Sequence, residues 1–209
     1  MPRSSLQSHM RDVELARRCS EGDREALEAL VGEHYGPVVN FVHRFTGMRE
    51  DAHDLAQEVF VKALRALPRY DGRAGLRTWL FTIAGNACRD ALRRRRRRKE
   101  DVVDESGLAL LVDRPDADLG GSPDRTALDG IRADALRRAV DQLPEVHRMA
   151  VVLRFYHDMS LQEIADVCGC TIGTVGSRLH YALKKLRKLL VDNPDAAEAV
   201  GAVEGGLSG

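Results

Sequence analysis

Ser160-Leu-Gln-Glu-Ile-Ala-Asp-Val-Cys-Gly-Cys-Thr-Ile-Gly-Thr-Val-Gly-Ser-Arg-Leu-His-Tyr-Ala-Leu-Lys-Lys-Leu-Arg-Lys188 carries the clearest structural pattern in the chain. Ser160 and Glu163 have the spacing of a capping box, in which each side chain bonds the other residue's amide and starts a helix. Leu161, Ile164, Ala165 and Val167 give that helix a short apolar face. Cys168-Gly169-Cys170 predicts a tight turn, with Gly169 free to take positive φ. Thr171 caps a second helix, in which Val175, Leu179, Ala182, Leu186 and Leu189 form one buried stripe. Ser177, Arg178, Tyr181, Lys184, Lys185 and Lys188 occupy its opposite face. A short capped helix, a glycine turn and a longer helix with a basic outer face make the helix-turn-helix pattern, which fits a major groove. An ordinary helical hairpin with a solvated basic face is the competing reading. Leu143-Pro144 and the apolar run from Val146 to Tyr156 supply a supporting helix.

Helical spacing extends upstream, and no stretch keeps the period of two that a strand requires. Asp12 is placed to cap a short first helix that Gly22 ends, and Asp23 to cap the next. That second helix carries Ala26, Leu27, Leu30, Val31, Val38, Phe41, Val42 and Phe45 mostly on one face, with Gly36-Pro37 a candidate kink and Gly47 its end. A third, from about Glu50, turns Leu55, Val59, Ala63 and Leu67 inward beside Ala52, Ala56 and Phe60, and Pro68 stops it. After the loop at residues 69–75, a fourth starts at Leu76. It buries Trp79, Leu80, Ile83, Ala84, Ala87 and Ala91 and runs into Arg93 to Lys99. The expectation is an all-α chain of two small helical domains, the C-terminal one a helix-turn-helix. The divisions are a disordered tail at 1–10, a helical domain at 11–99, a flexible acidic linker at 100–130, a second domain at 131–191 and a disordered tail at 192–209.

A net charge of zero conceals segregation along the chain. Residues 69–99 hold 11 basic and 2 acidic side chains, residues 100–135 hold 3 and 10, and residues 136–191 hold 9 and 5. Two basic blocks separated by an acidic one point to two polyanion-binding modules on an acidic tether. No run has the apolar length of a membrane span, and Met1 to Met10 lacks a signal-peptide core, so the expected location is the cytoplasm. Cys19, Cys88, Cys168 and Cys170 read as small buried hydrophobes in a reducing compartment. Cys168-x-Cys170 lacks the gap of a metal knuckle, and no second pair completes one, so neither metal nor cofactor is expected. His53-Asp54 stands without further ligands at useful spacing, and no nucleophile–base set or phosphate loop is present, so no catalytic residue is assigned.

Two blocks of this sequence resemble a known bacterial family, the extracytoplasmic-function sigma factors. The first is Asp51-Ala-His-Asp-Leu-Ala-Gln-Glu-Val-Phe-Val-Lys-Ala63, continuing through Leu76-Arg-Thr-Trp-Leu-Phe-Thr-Ile-Ala-Gly-Asn-Ala-Cys-Arg-Asp90 into the arginine run. The second is Leu143-Pro144, Ser160-Leu-Gln-Glu-Ile-Ala165 and Gly173-Thr-Val-Gly-Ser-Arg-Leu-His180. Their order and spacing agree with the family over roughly residues 11–95 and 131–190. The resemblance implies a subunit that loads RNA polymerase onto promoters and is not an enzyme.

It also implies site residues. Asp51, Asp54, Gln57 and Glu58 look like the face that docks on the clamp helices of the polymerase β′ subunit, and the carboxylates share a helix face by their spacing. Tyr70, Arg73, Arg77, Trp79, Asn86, Arg89, Arg93 and Arg94 look like the part that melts the −10 element. There Tyr70 and Asn86 are expected to face one another around an unstacked base, and the arginines to hold the backbone. Thr174, Ser177, Arg178, His180, Tyr181, Lys184 and Lys185 look like the reader of the −35 element. Gly176 and Tyr181 depart from the family, many members of which carry basic residues at those two places.

The partners implied are core RNA polymerase through β′ and β, promoter DNA, and an anti-sigma factor, the chain itself being monomeric when free and not inserted in a membrane. The implied regulon is a stress or envelope response. The alternative is an autonomous helix-turn-helix regulator that binds a symmetric site as a dimer, with residues 11–99 as a sensory or dimerisation module. The basic, tyrosine-bearing loop and the arginine run argue against it, since such a module has no need of them.

Overall fold

Asp23 and Ser160 each begin a helix by accepting from the amide three residues on. Asp23 takes the Ala26 amide at 3.2 Å and Ser160 the Glu163 amide at 3.2 Å, as their sequence positions require. A computed structural model describes residues 3–48, 50–105 and 127–191 of the chain. The helices are α1 (Arg3–Ser20), α2 (Arg24–Thr46), α3 (Ala52–Ala66), α4 (Leu76–Glu105), α5 (Ala127–Asp141), α6 (Glu145–Phe155), α7 (Leu161–Cys168) and α8 (Ile172–Val191). A 3-10 turn, Leu67–Arg69, follows α3, and no strand occurs among the described residues.

Several boundaries differ from the sequence reading. Helix α1 begins at Arg3, so residues 3–10, expected to be a disordered tail, are helical, and Asp12 lies inside the helix rather than at its cap. Pro37 sits within α2 without ending it. Burial of Leu30, His34, Val38 and Phe41 on both sides of the proline holds the helix through the lost hydrogen bond. Helix α4 continues to Glu105 and α5 starts at Ala127, both inside the stretch expected as linker. Residues 106–126 and the expected tail at 192–209 lie outside the described residues.

The chain forms two compact units. One takes the described residues of Met1–Asp90 and Pro144–Ala182, the other those of Ala91–Leu143 and Leu183–Gly209. In the first, Ala16, Cys19, Ala26, Leu30, Ala63, Leu67, Leu76 and Leu80 form a core, with Tyr70 and Trp79 packed against it. Beyond it Phe41 stacks on Phe45 at 5.7 Å and meets Phe81 edge-on at 5.3 Å. Residues 144–182 join this unit through α6, which packs on α2 and in turn on α7. Gly85 of α4 faces Met149 of α6 so closely that an added Cβ would lie 3.3 Å from the methionine methyl. In the second unit Ala135, Ala139 and Val140 are the buried face of α5, and Leu186 and Leu190 are buried in the last turns of α8. Leu190, rather than the expected Leu189, is the fully buried leucine at that end.

Candidate nucleic-acid interface

Acidic residues gather at the start of α3. Asp51, Asp54 and Gln57 are exposed and Glu58 half-buried, while Leu55, Ala56, Val59 and Phe60 between them are buried. Helix amphipathicity therefore turns all four polar side chains outward together. Lys62 forms an ion pair with Glu58 at 2.7 Å. Beside them His53 Nδ1 lies 3.3 Å from the Tyr35 hydroxyl. Two exposed apolar residues, Val61 and Leu64, extend this face along α3.

The loop at residues 70–75 is shaped by its own tyrosine. The Tyr70 hydroxyl donates to the Ala74 carbonyl at 2.7 Å, and its ring meets Trp79 edge-on at 5.3 Å. Burial, with smaller help from Asp12 and Asp71, pushes the phenol up to about 12, so it stays a donor. Arg73 is almost fully solvated and pairs with Asp71 at 3.0 Å. Arg77 is half-buried and donates to the His157 carbonyl. Asn86 is exposed and accepts from Arg89 at 2.8 Å, while the same guanidinium donates to the Gly85 carbonyl at 3.1 Å. Thus Tyr70 is brought to Trp79, and Asn86 to Arg89. Trp79 and Asn86 stand seven residues apart, about 10 Å along the helix axis. Arg93 and Arg94 are exposed, as are Arg95 to Arg98, which continue the same basic run.

The helix-turn-helix forms as its residues dictate. Ser160 and Glu163 complete the capping box, and Gly169 ends α7 at φ 61. Thr171 accepts from the Thr174 amide at 3.2 Å to start α8. On α8, Ser177 donates to the Gly173 carbonyl at 3.1 Å, and His180 and Tyr181 are exposed with rings 5.6 Å apart. Tyr181 also lies over His147 at 6.4 Å. Lys184 and Lys185 are exposed, but Arg178 is half-buried with its guanidinium 3.6 Å from the Cys170 sulfur. Burial alone would raise the Glu163 carboxyl; the Ser160 amide and hydroxyl, the Thr78 hydroxyl at 3.3 Å and Arg77 outweigh it and hold it below its usual range.

Three residues that hold these elements in place were not singled out for that part from the sequence. His157 is buried between Phe41 and Phe81, Arg148 donates to the Phe45 carbonyl at 3.1 Å, and Asp12 accepts from the Leu76 amide at 2.9 Å. Asp12 alone had a local signal. Leu76 follows Ala74-Gly75, so no neighbouring side chain is available to cap α4 and its amide must find an acceptor elsewhere. The cysteines are free thiols, with Cys19 and Cys88 buried, and burial pushes the Cys88 thiol up to about 12.

Residues 30–98 match Sigma-70 region 2, and residues 133–186 match Sigma-70, region 4. The chain is similar to the RNA polymerase sigma-H factor of Pseudomonas aeruginosa, 36% identical over 182 residues, with 86% of this chain and 93% of that protein covered. It is similar to the ECF RNA polymerase sigma-E factor of Escherichia coli K12, 32% identical over 185 residues, with 85% and 93% covered. Among solved structures it is similar to CnrH in complex with the cytosolic domain of CnrY, with a TM-score of 0.63, 27% identity and coverage of 87% of this chain and 98% of that one.

Proposed function

The chain belongs to the extracytoplasmic-function RNA polymerase sigma factors, and from that premise we propose which of its surfaces does which part of the work. It directs core RNA polymerase to promoters and starts transcription there; an autonomous regulator is not favoured. The single observation that carries this reading is the pairing in one chain of a region 2 match with a region 4 match, in that order.

In the proposal, residues 11–99 bind the polymerase and the −10 element, residues 131–191 bind the −35 element, and the acidic stretch at 100–130 tethers them. Asp51, Asp54, Gln57 and Glu58 meet the basic clamp helices of β′, where charge complementarity speeds encounter. Val61 and Leu64 add apolar contact on the same face. Arg73, Arg77, Asn86, Arg89, Arg93 and Arg94 hold the −10 element. Tyr70, with its hydroxyl committed to Ala74, offers Trp79 and the loop a fixed wall rather than a swinging ring. Thr174, Ser177, His180 and Tyr181 reach −35 base edges, and Lys184 and Lys185 reach phosphates. Arg178, half-buried against Cys170, supports the turn as well as facing DNA. The protein acts in the cytoplasm, by binding rather than catalysis. No helix among the described residues is long and apolar enough to cross a membrane. An anti-sigma factor is its expected inhibitor, and the similar CnrH carries a bound partner domain.

The test is a titration of labelled protein into purified core RNA polymerase, read by fluorescence anisotropy beside a DNA-only control. Tight binding to core with weak DNA-only binding is expected. No binding to core, with tight salt-sensitive binding to DNA alone, overturns the reading.

A further inference from the structure

Helix α4 begins without a cap of its own. Gly75 precedes Leu76 and has no side chain to accept from the first-turn amides, which otherwise want a Ser, Thr, Asp or Asn there. The acceptor comes from another helix. Oδ2 of Asp12, within α1, accepts from the Leu76 amide at 2.9 Å, across 64 residues of chain. A side chain on Gly75 would begin 3.5 Å from that oxygen. A carboxylate suits the place, because a helix N-terminus carries positive partial charge.

Asp12 does not act alone. His9, Asp12 and Val13 share one face of α1, at spacings of three and four. Gly72 turns the loop at φ +71 against that face, where an added Cβ would lie 2.7 Å from Val13 Cγ2 and 3.0 Å from His9 Cε1. The loop is thus held twice, from within by the Tyr70 hydroxyl on Ala74 and from outside by α1. Arg73 and Arg77 stand on the segment so held.

We propose that Asp12 is a positioning residue for promoter opening: by capping α4 from α1 it fixes the 70–75 loop and the first turn of α4 in the geometry that engages the −10 element. Asp12 does not touch DNA itself; it acts through Leu76 and the loop. The proposal rests on assigning residues 70–94 to the −10 element.

The test uses the full chain with core polymerase and the variants Asp12→Ala and Asp12→Asn. Both are measured for core binding, for open-complex formation on a duplex promoter, and for transcription from a template already melted at −10. Asp12→Ala binds core as the wild type does, opens the duplex about tenfold more slowly, the cost typical of a lost cap, and regains most transcription on the melted template. Asp12→Asn keeps an acceptor oxygen and stays within about threefold of wild type. Normal duplex opening by Asp12→Ala overturns the proposal. So does loss of core binding together with opening on both templates, which marks a merely structural role, and so does a folded Asp12→Asn as slow as Asp12→Ala. The double variant Arg73→Ala/Arg77→Ala separates the two layers. Wild-type opening there overturns the −10 assignment, whereas slow opening there beside normal opening by Asp12→Ala overturns the role of Asp12 alone.

Discussion

Mild acid should weaken the first compact unit through one side chain, His157. Its ring is buried, 4.8 Å from Phe81 and 5.9 Å from Phe41, and its Nε2 has no hydrogen-bond partner among the described residues. Around it α4 contributes Arg77, which donates to its carbonyl, and α2 contributes Arg44, whose guanidinium lies 4.0 Å over the adjoining Tyr156 ring. Burial first, then Arg77 and Arg44, holds the imidazole down at about 4, against 6.5 in an exposed histidine. The folded pKa lies below the unfolded one, so the unfolded chain binds more protons throughout that window. Stability is therefore intact above about pH 6.5 and is lost as pH falls from there towards 4. At pH 5 the unfolded histidine is almost fully protonated and the folded one about a tenth, which integrates to a loss of about 2 kcal/mol between pH 7 and pH 5. Urea unfolding at pH 7, 6 and 5, followed by circular dichroism, measures this directly. His34, also buried and lowered, adds to the slope in the same direction, so the comparison is with His157→Leu, which keeps His34 and removes only the titrating ring. The variant should lose about 2 kcal/mol less than wild type over that interval. Parallel pH profiles for the two proteins would mean that the buried His157 ring is not what acid titrates.

Other consequences are simpler to read. Gly72→Ala forces a side chain into positive φ and against Val13, and should lower stability by at least about 1–2 kcal/mol in thermal melts, whereas Gly176→Ala, in open space within α8, should raise it by about 0.5–1 kcal/mol. Removing the α7 cap with Ser160→Ala should cost about 1 kcal/mol by the same melts, while Gln162→Ala, on the exposed side of that helix, should cost little. Lys184→Ala/Lys185→Ala should weaken promoter binding by the holoenzyme and reduce its dependence on salt concentration by about two charges' worth, leaving core binding unchanged; an unaltered salt slope would remove these lysines from the DNA surface.

Most features that depend on near neighbours are legible in the residues alone. The stops at Gly47 and Gly169, the caps at Asp23, Ser160 and Thr171, the buried face of α3, that of α8 as far as Leu186, and the basic runs on α4 and α8 follow from spacing within about four residues, because helical hydrogen bonds and side-chain stripes close over that distance. Family membership was legible for the same reason, in ordered local blocks. The misses came where packing outweighed local preference. Pro37 stayed inside α2 because both flanks are buried, and residues 3–10 continued a helix with no start signal at Asp12. The pocket expected between Tyr70 and Asn86 remains a proposal, with Trp79 at the tyrosine ring and Arg89 donating to Asn86. The missing cap before Leu76 could be read as a demand for an acceptor, yet nothing local named Asp12 as its source. Packing of α1 against the start of α4 supplied it, and packing likewise buried His157 and placed Arg77 on its carbonyl. A local sequence fixes which polar groups lack partners; which distant side chain satisfies them depends on how the helices pack, and helix packing is settled by surfaces far apart in the chain.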